Sequence, residues 1–339
     1  MRKFTCPTCD TRLYFENFVC ETCSSSLAFD PRTQGFERLD GEESVLACGN
    51  RNLNVCNWRK ANAEDAFCQS CRLDRTIPRL NDEANVELWR RLEFAKRRVL
   101  YDLGRLGLTT PARGDGLELG LAFDFLAAAD GNVVTGHDGG LITINLAEAD
   151  DARREQIRTD LHEPYRTLVG HFRHECGHYL WQRFVVSGEE LERFRAVFGD
   201  ERRDYAQALR DHYARPPEWR TQFVSDYAAS HPWEDWAECA AHYLHIVSTL
   251  DTFISSPLGA PERAKPVDDP YRESDFDAVL SQWFPLAESL NELNRSMGLH
   301  DPYPFVLTPA TIEKLRLVQQ ILRRAAASDA TMAHADAVG

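Results

Sequence analysis

His171-Phe-Arg-His174-Glu175-Cys-Gly-His178-Tyr-Leu-Trp-Gln-Arg-Phe184 is the stretch whose reading decides the fold. It contains H-E-x-x-H, with His174 and His178 four residues apart and Glu175 following the first histidine. On a helix, that spacing puts both imidazoles on one face, within reach of a single metal ion. It also points Glu175 toward the water such an ion carries. The flanking pattern asks for a helix. Leu168, Phe172, Cys176, Tyr179 and Leu180 recur at three- and four-residue steps, and Pro164 suits a first helical turn.

A catalytic zinc takes three protein ligands and keeps one position open, so two histidines leave the set short. The stretch from Tyr227 to His245 offers candidates. Glu234, Glu238, His242 and His245 follow one another at steps of four, four and three, which aligns all four on one helical face. Four metal-competent side chains on one stripe are costly to bury without a use. Pro232 stands near the start of this helix, where a missing N–H costs least.

The N-terminal region carries a different metal signature. Eight of the ten cysteines fall within the first 71 residues; Cys176 and Cys239 lie far downstream. Cys6-Pro-Thr-Cys9 and Cys20-Glu-Thr-Cys23 each present two sulfurs, and together they complete a tetrahedral thiolate site of zinc-ribbon type. A redox reading of these pairs would need a thioredoxin-like βαβ context, which is missing. Cys48, Cys56, Cys68 and Cys71 form a second set, more widely spaced at its start and similar to a rubredoxin-like or small ribbon finger. Spacing alone also permits pairs to cross between the two sets. A region this small needs such staples, because its own core is thin.

Residues 1–80 hold 11 basic and 11 acidic side chains, so the rest of the chain carries the whole net charge of −14. The shift in charge and in cysteine use places a boundary near residue 80. It gives a zinc-ribbon region over 1–80, a domain with the H-E-x-x-H motif over 81–325 and a flexible tail over 326–339. An acidic chain whose fingers are neutral is poorly suited to nucleic acid; the ribbon region is read instead as a docking module for the neighbouring domain or a protein partner. No apolar run approaches a membrane span, and the first residues lack the apolar core of a signal peptide. A cytoplasmic protein is expected, with its cysteines as ligands or free thiols.

The two motif helices together resemble the gluzincin branch of zinc metallopeptidases. Glu234-Asp-Trp-Ala-Glu238 is similar to the Glu-Phe-Phe-Ala-Glu of lethal-factor-type proteases, in which the first glutamate binds zinc and an upstream tyrosine assists the transition state. The whole chain resembles bacterial zinc-binding metallopeptidases that carry an N-terminal zinc ribbon. This resemblance implies Glu234 as third ligand and Glu238 as a carboxylate orienting a ligating histidine, with the two roles exchangeable. It also implies Tyr227 as an oxyanion donor and one catalytic zinc beside two structural ones. His242, less suited as a ligand, is placed beside the ligand set, or in the core with His245. His171 is read as a packing residue or a neighbour of the ligands. One departure is the long interval from His178 to Glu234, which leaves an unplaced helical insert.

The implied fold is α+β and mostly helical, a zincin-like domain with a small mixed sheet behind a ribbon-type β domain. Leu88, Leu92, Ala95, Val99 and Leu103 predict a helix from Asp82 onward whose end is marked by Gly104 and Gly107, with Lys96-Arg97-Arg98 as a solvated face. Residues 117–146 read as strands around a turn at Asp130-Gly131-Asn132. Leu141–Leu146 is either the edge strand that holds substrate or an ordinary buried strand. His137 and Asp138 are read as turn residues. Beyond residue 254 come a loop over 255–270, a helix from Asp277 to Arg295 broken or kinked at Pro285, and another from Thr311 to Ala325.

The expected activity is zinc-assisted hydrolysis of a peptide or protein substrate, with Glu175 as general base. The competing expectation is a regulatory zinc-binding protein that engages one partner through its ribbon region.

Overall fold

The computed structural model describes residues 1–115, 119–127, 135–160, 166–214, 218–258 and 267–336. The chain divides into two compact units. One comprises Met1–Gly104, Thr110–Thr159 and Ser255–Pro257, the other Arg105–Thr109, Asp160–Ile254 and Leu258–Gly339. Small sheets and a cysteine-rich N-terminal region precede a helical unit, so the fold is α+β and mostly helical.

The first unit begins with two short antiparallel pairs. β1 (Phe4–Thr5) pairs with β2 (Arg12–Leu13), and β3 (Leu27–Asp30) pairs with β4 (Gly35–Arg38). Between them lies a compact aromatic core. Phe15 meets Phe29 edge-on at 4.9 Å between centroids, and Phe4 meets Phe36 at 5.5 Å. Tyr101, 5.6 Å from Phe15, contributes from much later in the chain. It lies on α1 (Glu83–Leu106), whose N-terminus is capped by Asp82 and which ends at Gly107 with φ +87°. Of the two glycines expected to mark the end of this helix, Gly107 follows it directly and Gly104 sits within its last turn.

One sequence expectation changes here. By its contacts α1 groups with the elements before it: Tyr101 enters their aromatic core, and Arg98 donates to Glu16 at 2.8 Å. The Lys96-Arg97-Arg98 run is not a solvated face. Lys96 and Arg97 are fully buried, Lys96 bridging Asp74 and Glu93 and lying 5.4 Å from the ring centroids of both Phe123 and Phe125. Helical periodicity places these residues on a face but does not say what covers it.

What covers it is a four-stranded mixed sheet of β5 (Asp74–Thr76), β6 (Ala122–Leu126), β7 (Gly136–Asp138) and β8 (Leu141–Asn145), in the order β5-β6-β8-β7. β8 pairs in parallel with β6 and antiparallel with β7, so it is an inner strand and not the substrate-holding edge. Its alternation of buried Ile142 and Ile144 with half-buried neighbours suits either position, which is why the sequence left both open. His137 and Asp138 close β7 just before the Gly139-Gly140 turn, where the Gly140 amide donates to His137 Nε2 at 3.1 Å. Leu117 and the expected turn at Asp130-Gly131-Asn132 lie outside the described residues. α2 (Asp151–Asp160) follows β8.

The second unit is built around a pair of long helices. α3 (Leu168–Phe184) starts at Thr167, whose hydroxyl accepts from the Gly170 amide at 3.1 Å; Pro164 lies outside the described residues. α4 (Gly188–Phe198) and α5 (Tyr205–Ala214) fill the interval that the sequence left unplaced. α6 (Pro232–Ile254) is the buried axis, with Trp236, Ala237, Ala240, Tyr243, Leu244 and Val247 wholly covered. α7 (Phe276–Ser296) runs through Pro285 as one helix instead of breaking there. α8 (Pro309–Asp336) continues past Ala325, where a flexible tail was expected from 326; the alanine-rich run there favours helix strongly enough to extend it. Of the loop expected over 255–270, residues 259–266 lie outside the described residues. Among the described residues, no helix is long and apolar enough to cross a membrane.

Candidate metal centre

In the helical unit, α3 and α6 approach each other unusually closely, and the sequence shows why. A Cβ on Gly177 would come within 2.9 Å of the Ala237 Cα and 3.0 Å of its carbonyl oxygen. Glycine inside the H-E-x-x-H segment and alanine opposite therefore let the two backbones meet. Trp236 fastens the contact by donating its indole N–H to the Gly177 carbonyl at 3.0 Å.

This approach gathers His174, His178 and Glu234, all buried, with their ligand atoms within 4.8 Å of one another. Nε2 of His174 lies 3.0 Å and Nε2 of His178 3.2 Å from the same oxygen, Oε2 of Glu234. Glu238, one turn further along α6, contacts the opposite side of the first imidazole, with Oε1 2.8 Å from His174 Nδ1. The two glutamates thus take different positions: Glu234 faces both histidines, whereas Glu238 holds one from behind.

The electrostatics follow from this packing. Burial pulls the His174 pKa down, but the hydrogen bonds and charges of Glu234 and Glu238 raise it well above its usual value. Burial opposes ionisation of Glu234 as well, yet the two histidines hold it well below the ordinary carboxylate range. Glu238, bonded to His174, is lowered to about 2 against the same opposing burial. Glu175 is also buried and its pKa lies below the usual value; burial resists, and the His171 hydrogen bond with the surrounding imidazoles prevails. Its Oε1 lies 3.3 Å from His171 Nε2. Its Oε2 is buried and has no hydrogen-bond partner among the described residues. The donor set of two imidazoles and one carboxylate, beside an unpaired buried acceptor, fits a zinc ion of catalytic type.

Tyr227 lies on a single turn before α6, its ring centroid 5.9 Å from that of His174. Burial and the nearby Glu234 carboxylate push its hydroxyl pKa up, so it keeps its proton. Of the two places left open for His242, the structure shows the core. Its Nδ1 pairs with the Tyr303 hydroxyl at 2.9 Å and its ring packs edge-on against Phe305, the surroundings of a core histidine. Its distance along the helix from Glu234, two full turns, carries it past the ligand cluster. His245 belongs to the same aromatic group, 5.2 Å from Tyr303 and 5.8 Å from Trp283.

Three contacts had no counterpart in the sequence reading. The Tyr205 hydroxyl, from the start of α5, donates to Oε1 of Glu234 at 2.7 Å. Ser225 donates to Oε2 of Glu238 at 2.6 Å. Trp233 stacks on His178 with 3.8 Å between ring centroids. Trp233 was within reach of a sequence argument, since it adjoins Glu234; Tyr205 and Ser225 follow no periodicity that links them to α6.

In the other unit, the cysteines form two separate clusters. Cys6, Cys9, Cys20 and Cys23 gather in one and Cys48, Cys56, Cys68 and Cys71 in the other, so the pairs do not cross. Sulfur separations of 3.6 Å for Cys6–Cys23 and Cys9–Cys20, and 3.5 Å for Cys56–Cys68, approach the edge of about 3.8 Å that a tetrahedral zinc tetrathiolate requires.

A family model described as "Putative zinc-binding metallo-peptidase" matches residues 85–321, and a zinc-ribbon domain model matches residues 3–82. The chain belongs to this zinc-binding metallopeptidase family. It is 43% identical over 326 residues to uncharacterized proteins of Mycobacterium bovis and Mycobacterium tuberculosis, with 95% of each chain covered. No solved structure matches it significantly.

Proposed function

We propose that the chain is a zinc-dependent peptidase in which His174, His178 and Glu234 hold the catalytic zinc and Glu175 is the general base. The observation that carries this reading is the convergence of both histidine Nε2 atoms on Oε2 of Glu234, at 3.0 and 3.2 Å. Bound zinc would supply Lewis-acid polarisation of the scissile carbonyl and a lowered pKa for the attacking water. Glu175 accepts the proton of that water at its unpaired Oε2 and returns it to the departing amine. Tyr227, protonated beside the first histidine, donates to the oxyanion of the tetrahedral intermediate. Glu238 orients His174 through Nδ1, and Ser225 fixes Glu238 in turn.

The two cysteine clusters take one structural zinc each under this reading, for three zinc ions per chain. The substrate is a peptide or protein, and the ribbon region is the surface offered to a protein partner. Eight of the ten cysteines stand in ligand clusters, a use of thiols that suits the reducing cytoplasm.

Glu175→Gln tests the base. It should lower peptide hydrolysis by roughly two to four orders of magnitude while the zinc content stays that of the parent protein. Near-parental turnover in the glutamine variant would remove Glu175 from that role.

A further inference from the structure

Each carboxylate of α6 that faces the histidines is held from both sides. Glu238 places Oε1 on His174 Nδ1 and accepts Ser225 at Oε2. Glu234 places Oε2 toward both Nε2 atoms and accepts the Tyr205 hydroxyl at Oε1, 2.7 Å away. Both hydroxyls come from the interval between the two ligand helices, Tyr205 from the first residue of α5 and Ser225 from the segment leading into α6. The terminal torsion of a glutamate is soft, so a carboxylate held at one oxygen only can turn freely. Turning would bring both oxygens of Glu234 toward the histidines or swing one away. The phenol at Oε1 removes that freedom.

The ring of Tyr205 is anchored by the same group of residues. It meets His231 edge-on at 5.3 Å and Trp233 at 5.9 Å, while Trp233 itself stacks on His178. The N-terminus of α5 is thus tied to one ligand through a hydrogen bond and to another through stacked rings.

We propose that Tyr205 is a positioning residue of the metal centre: its hydroxyl holds the outer oxygen of Glu234, so that the glutamate meets the metal through Oε2 alone. The inference rests on the ligand set proposed above and adds to it the segment between the helices. A residue bonded to a ligand in this way typically changes metal affinity by about 10- to 100-fold when removed.

The test is Tyr205→Phe in the full chain, which keeps the ring and removes one hydroxyl; the residue is 37% exposed, so the fold is expected to tolerate the change. Zinc at the histidine–glutamate centre is titrated against a chelator with the cysteine sites loaded. In parallel, cobalt(II) is placed in that centre and its visible bands are recorded. The expected result is a 10- to 100-fold weaker zinc affinity at this centre only. The bands of four-coordinate cobalt should also weaken as the second carboxylate oxygen enters. A side chain that merely packs would leave both unchanged. Glu234→Ala is measured alongside. If it loses the metal while Tyr205→Phe matches the parent in affinity and spectrum, the role of Tyr205 is overturned and the ligand set stands. If Glu234→Ala keeps the metal, the ligand set itself is wrong, and the inference falls with it.

Discussion

The cysteine clusters and the histidine–glutamate centre show two ways of building a metal site. In the first cluster the outermost ligands are 17 residues apart, and their contacts come from the same short segment, Cys9 with Thr11 and Cys23 with Ser25. In the centre, His174 and Glu234 are 60 residues apart, and every ligand is held by something else: His174 by Glu238, Glu234 by Tyr205, His178 by Trp233. Four thiolates close the first kind of site and make the metal part of the fold. On the function proposed above, three ligands beside an unpaired carboxylate oxygen would leave the second kind able to act on something that enters. The helical unit is then expected to fold without its metal and the cysteine region is not.

Removing one cysteine should make the largest difference. Cys56→Ser is expected to abolish zinc at the second cluster and, with it, a contribution on the order of 10 kcal/mol to local folding. Limited proteolysis should then cut within residues 40–75 while the helical unit stays resistant. Equal protection of both regions in the variant would erase the contrast drawn here.

Acid should separate the regions next. The first 80 residues contain no histidine, whereas α6 buries His242 with its pKa pushed down to about 4 by burial, Glu238 opposing. A depressed histidine favours folding above its unfolded pKa, near 6.5, and that contribution is lost as the pH falls from there toward 4. The shift corresponds to about 3 kcal/mol. His242→Gln should remove that part of the pH dependence, visible as a flatter denaturation midpoint between pH 6.5 and 4; an unchanged slope would show that the histidine is not buried neutral.

A smaller effect, confined to the centre, is expected from Gly177→Ala. The added Cβ meets backbone atoms of Ala237 at 2.9 and 3.0 Å, so α3 and α6 must part, at a cost of about 2 kcal/mol. Zinc affinity at the centre should fall and zinc at the cysteine clusters should not. The two can be followed separately by chelator titration.

The contrast also explains what the sequence disclosed. The cysteine clusters were legible because their ligands are neighbours in the chain, although only the structure separated Cys6–Cys23 from Cys48–Cys71 as sets. His174, His178 and Glu234 were legible because helical periodicity aligns ligands within one helix, and a resemblance joined the two helices. What stayed hidden depends on contacts between distant segments. Tyr205 reaches Glu234 from a helix with its own register, and Lys96 and Arg97 are buried on a face that looks polar in the sequence because Asp74 and the β6 phenylalanines meet Lys96 and the second cysteine cluster lies near Arg97. β8 reads the same at an edge as in the middle, since its pairing partners are not encoded in its own alternation.

The contact at Gly177 has a consequence for how such a centre can drift. Where side chains separate two helices, any repacking of the interface changes their spacing by fractions of an ångström. Here the spacing is a gauge set by main chain against main chain, which neighbouring substitutions do not touch. Apolar residues along α3 and α6 can therefore be exchanged over generations, with stability rising or falling, while the width available to an ion stays constant. Tolerance in the core and precision at the metal become separable properties, and the residue that separates them has no side chain.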